Sequence, residues 1–94
     1  PKEGVEMPTL SMFYGIVIRM FAEGDAKHKL PHFHVQYGSH YAVYDLDGRL
    51  LSGSLPSKQN KLVVAWAALH HDELCANWDM LLCGETPYKI EPLR

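Results

Sequence analysis

The stretch Pro31-His32-Phe33-His34-Val35-Gln36-Tyr37-Gly38-Ser39-His40-Tyr41-Ala42-Val43-Tyr44-Asp45-Leu46-Asp47-Gly48-Arg49-Leu50-Leu51 decides the fold. Its residues alternate with the two-residue period of a β-strand, and two turn signals interrupt it. Gly38-Ser39 is a Gly-first two-residue loop suited to a type II′ turn. It predicts strands over 32–37 and 40–46, setting Tyr37 opposite His40, Val35 opposite Ala42, His34 opposite Val43 and His32 opposite Asp45. Asp47-Gly48 is a type I′ signal and predicts a strand over 49–55, with Leu46 opposite Arg49 and Tyr44 opposite Leu51. Side chains alternate across such ladders, so the two faces follow directly. Phe33, Val35, Tyr37, Ala42, Tyr44, Leu46, Leu51 and Leu55 form an apolar face. His32, His34, Gln36, Tyr41, Val43, Asp45, Leu50, Ser52 and Ser54 form a mostly polar one.

Upstream, residues 13–21 alternate as well. Tyr14, Ile16, Ile18 and Met20 point one way, and Phe13, Gly15, Val17, Arg19 and Phe21 the other, which predicts a strand with one strongly apolar face. The polar segment 22–31 between the strands reads as a loop. Downstream, Ser57 suits a helix N-cap after Pro56. Leu62, Val63, Trp66, Leu69, His70, Leu74, Trp78 and Leu81 then recur as a helical stripe that stops at Gly84, a C-cap residue. An unbroken helix over 57–83 would be about 40 Å long, so a kink or a break near His71-Asp72 is expected. The fold class is therefore α+β: an antiparallel sheet of about four strands, with one long kinked helix or two helices packed on one face. Pro87 to Pro92 is an extended tail with Ile90 and Leu93 as anchors.

The 94 residues are 47% hydrophobic and 21% charged, the balance of a folded chain with one core. Residues 7–94 are expected to form a single domain. Residues 1–6 lack periodicity and precede Met7-Pro8-Thr9, which reads as a natural start, so they are expected to be a disordered extension. The formal charge of −2 gives no general attraction to phosphate. No run approaches the ~18 apolar residues of a membrane span, and no secretion signal is evident. Cys75 and Cys83 sit about 12 Å apart along one predicted helix, too far to bridge. With no Cys-x-x-Cys spacing they read as packing residues, and free thiols fit a reducing cytoplasm.

His32 and His34 carry the most chemistry. Two apart on a strand, they project from one face, a common way of presenting imidazoles to a metal. Asp45, opposite His32, would orient the ring or ligate the ion itself. Arg19 falls on the same polar side as a candidate anion binder, and His28 in the preceding loop is within reach. The candidate catalytic set is thus His32, His34, Asp45 and Arg19, and the candidate ligands of a divalent metal are His32, His34 and His28. Against this stands an ordinary cross-strand His–Asp pair worth a few tenths of a kcal/mol, or a polar interaction surface. An His-x-His pair supplies two ligands where a stable site uses three or four. His70, inside the apolar stripe, reads as a hydrogen-bonded core residue; His40 and His71 read as solvent-facing. No phosphate loop, nucleophile elbow or His-Glu-x-x-His is present.

Taken together, several strings resemble one family: Met7-Pro8-Thr9-Leu10-Ser11, Phe13 to Met20, Pro31-His32-Phe33-His34-Val35-Gln36-Tyr37, Gly53-Ser54-Leu55-Pro56, Trp66 with His70, Glu73-Leu74 with Trp78, and Ile90-Glu91-Pro92-Leu93. They are similar to the domain-of-unknown-function family numbered 4160. The resemblance spans nearly all of Met7 to the end, with Pro-His-Phe-His its most specific element. It implies a short bacterial protein, often encoded beside another small protein in a toxin–antitoxin-like or regulatory cassette, with no established activity. Before Pro31 the family pattern is Asp-His-x-Pro, where this chain has Lys27-His28-Lys29-Leu30. His28 is kept and the acidic position is not, so Asp25 would have to take its place. Three functions follow as expectations. The first is an interaction module bound to the neighbouring small protein. The second is a metal- or histidine-dependent hydrolase or nuclease. The third is a nucleic-acid binder using Arg19, Lys27 and Lys29.

Overall fold

A computed structural model describes residues 8–21 and 30–94. Five antiparallel strands form one sheet in sequence order: β1 (Thr9–Phe13), β2 (Ile16–Arg19), β3 (His32–Tyr37), β4 (His40–Asp45) and β5 (Leu50–Gly53). Two helices follow, α1 (Ser57–Leu69) and α2 (His71–Leu82). The α+β class and the antiparallel sheet agree with the sequence, and the strands number five where about four were expected. The extra strand arises at Tyr14-Gly15, where both residues have positive φ (50° and 79°), the signature of a type I′ turn. Thr9–Phe13 thus folds back on Ile16–Arg19, and Phe13 pairs with Ile16. Tyr14, expected on the core face, is 61% exposed at the turn, while Phe13 is buried.

The β3–β4 register is the one the Gly38-Ser39 turn predicts, from Tyr37↔His40 to His32↔Asp45. The next hairpin departs from expectation. Asp45 O accepts the Gly48 N–H at 3.0 Å and Asp45 N donates to Arg49 O at 2.9 Å. Gly48 is left-handed (φ 87°), whereas Asp47 is not, so the loop has three residues and ends in a bulge-forming glycine. The register consequently shifts: Tyr44 opposes Leu50 instead of Leu51, and Leu51 is 44% exposed rather than core.

One face of the sheet carries the core. Ile16, Ile18, Met20, Phe33, Val35, Ala42 and Tyr44 are buried against Val63, Trp66 and Ala67 of α1 and Leu74 and Trp78 of α2. Trp66 sits at the centre, its ring 5.7 Å from Phe13 and 5.9 Å from Phe33. Deleting such a side chain costs about 3–5 kcal/mol. The helical half is two helices, broken at His70 (φ −116°, ψ 26°), one residue before the expected site. Leu69, expected in the stripe, is 70% exposed, because two residues past buried Ala67 it lies about 200° round α1 from it. Ser57 is the first helical residue after Pro56 and makes no capping bond. At the other end Glu85 N donates to Met80 O and Gly84 N to Leu81 O, with Gly84 at φ 79°, a Schellman cap as Gly84 suggests.

The tail after α2 is anchored by residues 88–91. Ile90 is buried and donates its N–H to Leu10 O of the edge strand β1 at 2.8 Å. Trp66 Nε1 donates to Glu91 O, and Asn77 clamps Tyr88, donating to its carbonyl and accepting its N–H. Leu93 packs against the core in part, so both expected anchors engage.

Candidate functional site

The pairing of β2 with β3 sets Arg19 directly opposite His34, and β3–β4 pairing sets Val43 on the other side of His34. One row of the sheet's second face therefore reads Thr9, Arg19, His34, Val43, Ser52. The adjacent row reads Met12, Val17, Gln36, Tyr41. No described helix covers these rows, since the apolar face has taken both. Met12 and Tyr41 are 64% and 59% exposed.

Within this face Arg19, Phe21, His34, Val35, Gln36 and Tyr41 line a concavity of about 170 Å³. Gln36 organises it: its Oε1 accepts one hydrogen bond from Arg19 Nη1 and one from the Tyr41 hydroxyl, both 3.2 Å. Phe21 stacks on the His34 ring at 4.2 Å and 14°, which fixes the imidazole plane. Arg19, placed by its strand alternation on the polar side, pairs across the ladder with His34. Gln36, Phe21 and Tyr41 complete the concavity. The sequence pattern already puts Gln36 and Tyr41 on the histidine face and Phe21 on the side of Arg19; what it does not show is that they close a concavity.

His32 sits differently. Its ring lies 5.1 Å from that of His34, but the residue is only 7% exposed, and Trp78 of α2 packs against it at 5.2 Å. The sequence puts both rings on the face away from the helices; for His32 the structure departs from this, because α2 reaches the histidine end of β3. His32 Nδ1 donates to Leu30 O at 2.8 Å, and since a carbonyl only accepts, Nδ1 carries the proton. Nε2 is then the ring atom through which His32 could hold a metal.

Asp45 is the Cα partner of His32, yet its carboxylate serves the hairpin. Oδ1 accepts the N–H groups of Asp47 and Arg49, both at 2.9 Å, and Oδ2 lies 3.8 Å from Arg49 Nη1. The side chain is an Asx-turn acceptor, the role short acids commonly take at such loops. Among the described residues no hydrogen bond or ion pair joins it to His32, and its hydrogen bonds go to the hairpin.

His28 lies outside the described residues, as do Lys27, Lys29, Asp25 and residues 1–6. Among the described residues no three His, Cys, Asp or Glu side chains are grouped to hold a metal. His70 is partly buried over the Trp66 ring, with Nδ1 against Glu73 Oε1. His71 meets Asp47 of the β4–β5 hairpin at 3.0 Å and is half-exposed. Burial, followed by the charges of Asp72, Asp47 and Asp79, pushes the Cys75 thiol up, so it stays protonated and packs in part against the core. Cys83 is exposed at the end of α2 and does not share that packing role.

Comparison with protein families gives a match to "Domain of unknown function (DUF4160)" over residues 15–79, more than two thirds of the chain. No curated protein and no solved structure matches. Among the described residues no helix is long and apolar enough to cross a membrane.

Proposed function

The chain belongs to the DUF4160 family, and on that premise we propose that it is a protein-interaction module, one half of a two-protein, toxin–antitoxin-like cassette in the bacterial cytoplasm. Residues 7–94 would act as a single domain whose partner is the small protein encoded beside it. The observation that supports this is the second face of the sheet. Met12, Val17, Tyr41 and Val43 alternate there with Arg19, His34 and Gln36, and no described element covers them. An apolar surface studded with a few fixed polar groups is what protein partners bury. Co-expression of the two proteins should yield a complex that survives size-exclusion chromatography at micromolar concentration. Two proteins that elute separately would contradict the proposal.

A second reading, a metal- or histidine-dependent hydrolase or nuclease, is favoured by one observation: Arg19 and His34 line the same concavity, with the His32 ring beside them. There Arg19 would hold an anionic substrate and His34 would act as acid or base. Any divalent metal would fall to His32, His34 and His28. Metal analysis of protein purified without a histidine tag, combined with His34→Ala, separates the readings. Absence of co-purifying metal, with phenotype and stability unchanged in the variant, removes the hydrolase.

A further inference from the structure

Arg19 is a half-buried cation that pairs with no acid among the described residues. Among the described residues its one side-chain hydrogen bond goes to the neutral amide of Gln36, and it enters no ion pair. Among the described residues the sheet face around it is equally short of acids. Of the residues that the register places there, the acidic one is Asp45, whose carboxylate is bonded into the β4–β5 hairpin. Among the described residues of this face, Arg19 is thus a cation that no carboxylate matches. The guanidinium is also held in place, because Gln36 is itself fixed by Tyr41. A fixed fork loses little freedom when it takes up a carboxylate, the geometry in which arginine binds best.

The size of the concavity decides the ligand class. About 170 Å³ is below the roughly 300–1,000 Å³ of pockets that enclose a small molecule or nucleotide. It is enough for one side chain. Two of its walls, Phe21 and Tyr41, are aromatic and would contact the methylenes behind a carboxylate.

We propose that this concavity is the anchor subsite of the interface, receiving a single Asp or Glu side chain of the partner protein on Arg19, with neighbouring apolar side chains of the same segment lying over Met12, Val17 and Tyr41. The assignment rests on the interaction-module reading and deepens it. Arg19 supplies charge and orientation, and the apolar rows supply area. Central, partly desolvated arginines of this kind commonly dominate interface energetics.

The test uses random-peptide display against the intact protein, which does not require the neighbouring protein. Selected peptides should share an Asp or Glu flanked by apolar residues. Replacing that acid by its amide in the peptide should weaken binding about tenfold or more, as should Arg19→Gln in the protein, with Arg19→Lys in between. The peptide-side change leaves the protein untouched, so a folding defect in Arg19→Gln cannot mimic the result. Peptides without an acid, binding indifferent to either change, or no enrichment would each overturn the assignment. So would single-stranded RNA or duplex DNA that binds through Arg19 in place of peptide. A complex with the neighbouring protein that persists undiminished in Arg19→Gln would sink the subsite while leaving the interaction module standing.

Discussion

The Tyr44 hydroxyl donates a 2.6 Å hydrogen bond to Asn60 Oδ1, fastening the middle of the sheet to the first turn of α1. Tyr44 is fully buried, and burial pushes its phenol above the ordinary value. Tyr44→Phe should cost about 0.5–1.5 kcal/mol, read as a lower denaturant midpoint. The pH dependence has a definite sign. Above about pH 10 the unfolded tyrosine loses its proton while the buried one keeps it, so the native state binds more protons and stability falls as pH rises. Below that pH the contribution is fully present. Between pH 9 and 11 the native protein should lose more stability than Tyr44→Phe; equal losses would place the titration elsewhere.

Asp45 separates a turn residue from a catalytic one. Asp45→Asn keeps an oxygen to accept the Asp47 and Arg49 N–H groups, and should stay within about 0.5 kcal/mol of the parent. Asp45→Ala removes the acceptor for both and should cost about 1–3 kcal/mol in equilibrium unfolding. If Asp45→Asn instead kept stability and abolished the cellular phenotype, the orienter role would return.

The β3–β4 register could be read because Gly38 needs its positive φ at the first central position, and that alone pins His32 opposite Asp45. Tyr14-Gly15 was hidden because tyrosine is a rare occupant of the left-handed first position of a type I′ turn, and the apolar alternation runs on through it. Asp47-Gly48 misled by one residue, since Asp45 reaches forward to cap the loop and makes it three residues long. Strand periodicity put Arg19 and His34 on one face. It could not show Phe21 stacked on His34 or Trp78 against His32, contacts between residues that no local pattern links.

Asn77 holds the tail by both ends of its amide. Asn77→Asp retains the acceptor for Tyr88 N–H and loses the donor, whereas Asn77→Leu loses both. Costs should rank in that order, up to about 1–3 kcal/mol for the second. Limited proteolysis should cut after Lys89 faster in Asn77→Leu. Equal cleavage rates would mean that Ile90 and Trp66 hold the tail alone.

Gly53 sets the β4–β5 crossing. At φ 74°, a Cβ there would sit 2.1 Å from Tyr41 O and 2.9 Å from Ala42 Cα, backbone atoms that cannot step aside. The left-handed conformation alone costs a side chain about 1–3 kcal/mol, and the overlap adds to it. Gly38→Ala, also at positive φ but with nothing within 4 Å, is the control. Amide exchange should show β5 opening in Gly53→Ala and intact in Gly38→Ala. Similar protection in both variants would contradict the close approach.

The most direct test of the central claim, that the sheet face away from the described helices is the partner surface, is an amide and side-chain NMR titration with the proposed partner, a small protein encoded beside this one. The account predicts perturbations centred on Met12, Val17, Arg19, Gln36, Tyr41 and Val43, with the Arg19 side-chain signal among the most shifted. Perturbations confined to the outward sides of α1 and α2, with those sheet residues unmoved, would contradict it.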